Sequence, residues 1–192
     1  MQNILIVVDM QNGFARYDQT KNVGKKIINL LEMNIFDYVI ATKFVNKKNG
    51  PYKDILNWQK LTESPEIDII KGIKYDIALE KYVYTPVNSE FIRILKKAND
   101  GKKPRHIFIV GVDTDCCVMK TAVDLFEKNI RPIVLLEYCD SNGGKIANDA
   151  GIKVMERLIG KQQLIRKKIS SRDDIKNIIQ QLWKQEIKWI IF

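Results

Sequence analysis

Apolar and polar positions along this chain fall into two repeating regimes. Short, mostly apolar runs at Asn3 to Val8, Tyr38 to Thr42, Ile107 to Val112 and Pro132 to Leu136 have the pattern of strands buried on both faces, as in a parallel sheet. Leu79 to Tyr84, bounded by Pro86, and Leu164 to Ile169 read as the third and sixth strands. Between these runs the spacing turns helical. Val23, Ile27, Ile28, Leu30 and Leu31 share one face of a helix from about Lys21 to Met33. Ser89 reads as the N-cap of a helix through Ala98, stopped by Asn99-Asp100-Gly101. Further helices are predicted from Cys116 to about Asn129, from Asn142-Gly143-Gly144 to near Gly160, and from a Ser171 cap to Leu182. Lys43 to Lys60 reads as a loop whose Phe44, Tyr52 and Trp58 could wall a pocket, and Thr62 to Ile77 has no clean period. Strands alternating with helices predict a three-layer α/β/α fold around a six-stranded parallel sheet. With no repeat, low-complexity segment or linker in view, residues 1–192 are expected to form a single domain.

Composition narrows the function classes. A chain of 192 residues with 45% hydrophobic and 29% charged residues can bury a sizeable core. No apolar run approaches the roughly 18 to 20 residues that span a bilayer, and Met1-Gln2-Asn3-Ile4 enters a strand without a basic leader. A cytoplasmic location with no membrane partner is therefore expected. The net charge of +9 raises nucleic acid as a partner. Its lysines, however, are spread over helix faces such as Lys25-Lys26 and Lys96-Lys97, and Arg166-Lys167-Lys168 falls in a predicted strand. No nucleic-acid motif accompanies them, so a solvated basic surface is the expectation. Three cysteines, two of them adjacent, read as reduced thiols. The apolar Trp189-Ile190-Ile191-Phe192 is expected to pack on the domain or at a subunit contact.

In open α/β sheets, sites form at the C-terminal ends of strands. Three such ends carry reactive groups: Asp9, Lys81 and Cys117. A thiol in the first turn of a helix faces unpaired N–H groups and the positive end of the helix dipole, and both favour the thiolate. Each residue also has an ordinary alternative: Asp9 as a turn cap, Lys81 as a surface cation, Cys117 as a small core residue.

Val7-Val8-Asp9-Met10-Gln11-Asn12-Gly13-Phe14 resembles the V-D-x-Q-N-x-F opening of the isochorismatase-like cysteine hydrolases, which include nicotinamidases and N-carbamoylsarcosine amidase. Lys81-Tyr82-Val83-Tyr84-Thr85 is similar to that family's lysine segment, and Gly111 to Val118 (G-V-D-T-D-C-C-V) to its nucleophile motif. Cys139-Asp140-Ser141 resembles the later strand end, so the likeness spans most of residues 3 to 160. The resemblance implies Cys117 as nucleophile, Asp9 as proton acceptor and donor, and Lys81 as their electrostatic partner. It also implies a cis peptide between Val112 and Asp113 that aims the Asp113 and Cys117 backbone N–H groups at one point, an oxyanion hole. A carboxylate at Asp113 departs from the small residue expected there and must turn away from the anionic intermediate. Phe14 matches an aromatic that flanks substrate in relatives; Trp58 and Tyr84 are expected to complete an apolar wall, with Cys116 as packing or lining.

Nicotinamidases of the family hold a metal after the second strand through an aspartate and histidines. Here that region, Ala41 to Asn49, has neither, and Lys43 would repel a cation. The one histidine, His106, opens a strand at the opposite end of the sheet, so no metal and no cofactor are expected. Lys43 suggests instead a carboxylate on the substrate. The leading expectation is a metal-independent cysteine hydrolase acting on a small amide or ureido compound. Nicotinamidase, vinyl-ether hydrolysis of the isochorismatase kind and a non-catalytic binding protein are the alternatives. The resemblance further implies a homodimer or larger homo-oligomer.

Overall fold

The computed structural model describes residues 2–190, the side chains of residues 185–190 excepted. Among the described residues, six parallel strands form one sheet: β1 (Ile4–Val8), β2 (Tyr38–Phe44), β3 (Ile77–Lys81), β4 (His106–Gly111), β5 (Arg131–Cys139) and β6 (Leu164–Ile165). Their spatial order is β3-β2-β1-β4-β5-β6. The helices are α1 (Asp18–Glu32), α2 (Pro51–Asp54), α3 (Ser89–Ala98), α4 (Met119–Glu127), α5 (Gly144–Met155) and α6 (Arg172–Ile190). No described helix is long and apolar enough to cross a membrane.

Successive side chains of a strand point to opposite faces, so β1 feeds two cores. Ile4, Ile6 and Val8 pack with Phe91 and Leu95 of α3, Ala122 and Leu125 of α4, and Ile152 and Met155 of α5. Leu5 and Val7 pack with Val23, Ile27 and Leu30 of α1 and with Ile175, Ile178 and Leu182 of α6. The three-layer α/β/α expectation is met. Strand order reverses direction between β1 and β4, and the C-terminal ends beside such a reversal form a crevice. Gly111 lies at this point with φ 121°, where a Cβ would sit 2.1 Å from the Val8 carbonyl oxygen. Only glycine lets the chain pass β1 so closely.

Several element edges differ from expectation, each for a local reason. β2 extends to Phe44, whose N–H donates to Gln11 Oε1 (2.8 Å) while Gln11 Nε2 donates to the Phe44 carbonyl (2.9 Å). β3 is Ile77–Lys81 rather than Leu79 to Tyr84: the Lys81 amine takes the Val83 and Tyr84 carbonyls at 3.1 Å each and turns the chain off the sheet. The cap of α3 is Asn88, not Ser89, since Asn88 Oδ1 accepts from Phe91 N at 2.8 Å. Ser171 Oγ accepts from Asp174 N (3.3 Å) at the start of α6, as a cap does. β6 keeps two residues of the six expected; the chain rejoins the core at Ile169, whose N–H and carbonyl both bond the Tyr138 hydroxyl at 3.1 Å. The helix after β4 opens as a π-helical turn, Thr114–Val118. The segment without a period is a run of turns bonded to the loop after β1, through Asn12 N to Asp68 O, Gly13 N to Glu66 O and Ile70 N to Met10 O. The expectation for Trp189 to Phe192 lies outside the described side chains.

Candidate active site

β1, β3 and β4 each deliver one reactive side chain to the same end of the sheet. Asp9 follows β1 with φ 50°, a left-handed conformation that aspartate tolerates, and is fully buried. Thr42 of β2 fixes it: Thr42 Oγ1 accepts from Asp9 N (3.1 Å) and donates to Asp9 Oδ1 (2.6 Å). Lys81 ends β3, paired in register with Phe44, and its ammonium lies 2.7 Å from Asp9 Oδ2 and 3.4 Å from Cys117 Sγ. Cys117 is the fourth residue of the π-helical turn and is buried. The three residues singled out from sequence therefore meet.

Burial alone would discharge Lys81, but the Asp9 and Cys117 charges outweigh it and hold its pKa above the ordinary lysine value. Burial pushes the Cys117 thiol well up; the Asp9 charge adds to this and Lys81 opposes it. Burial and the carboxylate neighbour therefore oppose the thiolate that the helix start and Lys81 favour. Burial also pushes the thiols of Cys116 and Cys139 up to about 12.

The Val112–Asp113 peptide is cis, as the resemblance implied. Asp113 Oδ1 accepts from Asn142 N (2.9 Å) and Asn142 Nδ2 (2.7 Å), tying the corner to the loop before α5. Burial raises the Asp113 carboxyl to about 6. α5 sits close on this turn, since a Cβ at Gly151 would come 2.5 Å from Asp115 Cα.

Beside Cys117 lies a cavity of about 160 Å³, lined by Phe14, Phe44, Tyr52, Leu56, Trp58, Tyr84, Asp113, Cys116 and Cys117. The expected Phe14, Trp58 and Tyr84 all take part. Their rings belong to one cluster: Phe14 stacks on Trp58 (centroids 6.1 Å apart), and Tyr52 meets Phe44 (4.9 Å) and Tyr84 (5.1 Å) edge-on. Leu56 was not foreseen, nor was the support given by Thr42 and Gln11. Thr42 needed the knowledge that β2 lies beside β1; Gln11 sits inside the recognised motif and could have been named.

The region after β2 does not fit a metal. Lys43 pairs with Glu80 (3.3 Å), and the Asn46 amide is committed to the Trp58 and Lys60 carbonyls (2.8 and 3.1 Å). Among the described residues, no three His, Cys, Asp or Glu side chains gather to hold an ion. His106 lies buried at the opposite end of β4, held neutral by burial and the Arg131 and Arg105 charges, with its pKa down at about 4. Lys43 does not line the cavity, which removes the reason to expect a carboxylate on the substrate.

The sequence profile of the isochorismatase domain matches residues 3–164. The chain belongs to the isochorismatase family. Among curated proteins, none matches the chain in sequence. Solved structures do share this isochorismatase-family hydrolase fold. An isochorismatase-like hydrolase from Alkaliphilus metalliredigens superposes with a TM-score of 0.74 at 15% identity, covering 92% of this chain and 98% of that one. A cysteine hydrolase from Pseudomonas syringae pv. phaseolicola gives 0.72 at 17%, covering 94% and 93%. The nicotinamidase PncA from Bacillus subtilis gives 0.68 at 18%, covering 83% and 97%. At these identities the likeness is one of fold. α6 falls outside the family match and adds its face to the α1 side of the sheet.

Proposed function

We propose that this isochorismatase-family protein is a metal-independent cysteine hydrolase that cleaves the C–N bond of a small amide or ureido compound. The observation that carries this reading is the single Lys81 ammonium in contact with both the Asp9 carboxylate and the Cys117 sulfur. Burial and the Asp9 charge favour the protonated thiol, so attack draws on a base, and Asp9 is the carboxylate beside it. Asp9 takes the thiol proton as sulfur bonds to the carbonyl carbon. The backbone N–H groups of Asp113 and Cys117 hold the oxyanion. Asp9 returns the proton to the leaving nitrogen as the C–N bond breaks, leaving a thioester. Water then adds with its proton passing to Asp9; the C–S bond breaks, and sulfur recovers that proton. Lys81 stays charged throughout and balances whichever of its two neighbours is anionic.

The test is ammonia release across a panel of small amides and ureido compounds, with Cys117→Ala as the blank. Turnover in wild type and none in a folded Cys117→Ala protein supports the reading; wild-type rates in that variant remove Cys117 from the mechanism. Nicotinamide belongs in the panel because the aromatic wall suits a pyridine ring, although the donor set after β2 argues for activity without metal.

Residues 1–192 act as one domain, supported by Ile175, Ile178 and Leu182 of α6 in the same core as β1. A reducing, cytoplasmic setting suits three free thiols, one of them the nucleophile. The protein pairs with a second copy through α5, where Ile146, Ala150 and Val154 form an exposed i, i+4 row, with Leu158 exposed in the turn just beyond. Packed antiparallel on itself, the row would set the Ile146 end of one copy against the Val154 end of the other.

A further inference from the structure

The wall of the cavity is mostly aromatic and aliphatic, yet one acidic residue, Asp113, takes part in it. Asp113 commits Oδ1 to the two Asn142 donors, and among the described residues Oδ2 makes no hydrogen bond. No lysine or arginine lines the cavity. Lys81, the cation beside Cys117, is already engaged by Asp9 at 2.7 Å. Asp115 stands two residues away with Oδ1 buried and unpartnered. In a chain of net charge +9, Cys117 thus has the Asp9 carboxylate and one ammonium beside it, and Asp113 shares its cavity. A cavity of aromatic faces with a carboxylate at its edge is the environment that attracts an alkylated cation, through ring quadrupoles and direct charge.

We infer that the substrate is a small amide carrying an alkylammonium group, seated against Trp58 and Tyr84 with its charge toward Asp113, the specificity-determining residue. This deepens, and rests on, the hydrolase reading above. The carboxyl sits at about 6, so it is mostly ionised at neutral pH, and a bound cation would draw it further toward the charged form. Lys43, paired with Glu80 outside the cavity, does not oppose such a ligand.

The test compares two amides of nearly identical shape, 2-(trimethylammonio)acetamide and 3,3-dimethylbutanamide, which differ in a quaternary nitrogen replacing a carbon. Ammonia release is measured for each, and, independently of turnover, each is tested for protection of Cys117 from iodoacetamide by intact-mass analysis. The expectation is a preference for the cation of about tenfold or more in wild type. The ratio should collapse toward unity in Asp113→Asn and fall in Trp58→Leu, whatever becomes of either rate alone. Asparagine keeps an acceptor for Asn142, which preserves the corner. Equal handling of the two amides by wild type overturns the inference while leaving the hydrolase reading intact. Loss of both activities in Asp113→Asn with an unchanged ratio also overturns it, since that is the signature of an anchor. Selective protection by the cation with no turnover of either amide supports the inference and counts against the hydrolase.

Discussion

Thr42 bonds both the backbone N–H and the carboxylate of Asp9, so one hydroxyl sets where the proposed proton carrier points. Thr42→Val keeps the shape and removes both bonds. It leaves a buried N–H without a partner, which costs about 1 to 3 kcal/mol. The expected outcome is a lower midpoint in urea together with a fall in kcat of about tenfold or more, read on whichever amide the panel selects. Asp113 gives a second prediction of opposite sign. Its folded carboxyl, at about 6, holds its proton more tightly than the unfolded group at 3.8. The native state therefore loses stability as pH rises between these values. Asp113→Asn should be the more stable protein at pH 7, by on the order of 2 kcal/mol, with the gap closing toward pH 4. Urea titrations at the two pH values check this. The trio of Asp9, Lys81 and Cys117 could be read from sequence because each falls at a strand end inside a recognisable motif. The protonation state of the thiol could not, because it depends on burial and on which charges the fold places beside it.

Among the elements, the strands that lie inside the sheet were the most legible, since a short run apolar at every position suits a place covered on both faces. The edges were less so. Tyr82, Val83 and Tyr84 look like strand residues, yet they are exposed and leave the sheet, because Lys81 draws the chain around its own amine. Thr62 to Ile77 shows no period because it serves as backing: Ile67 packs on Phe44, Tyr52 and Leu61 behind the cavity, and Ile73 joins the core on the α1 side. Helix α3 supplies a sharp test of one residue's difference. Its N–H at Phe91 is satisfied by Asn88, whereas a sequence reading favours Ser89. Asn88→Ala should cost about 1 kcal/mol in thermal or urea unfolding, and Ser89→Ala no more than a few tenths. Equal losses would return the cap to Ser89.

At the scale of the whole molecule, the row on α5 and just beyond it leaves apolar side chains in the open, with Ile146 at 87% exposure and Val154 and Leu158 at 43% and 48%. If a second copy covers it, Ile146→Glu with Val154→Glu should shift the protein from dimer to monomer in light scattering while leaving its circular dichroism unchanged. A monomeric wild type would remove the pairing. The cavity is assembled on a different plan from its chemistry. Asp9, Lys81 and Cys117 stand on or beside the tips of sheet strands, whereas Tyr52, Leu56 and Trp58 come from the stretch between β2 and β3, in and around the four-residue α2. One part of the wall can therefore diversify through residues 47–60. A library confined to that stretch would reshape one side of the cavity while Asp9, Lys81 and Cys117 stay put.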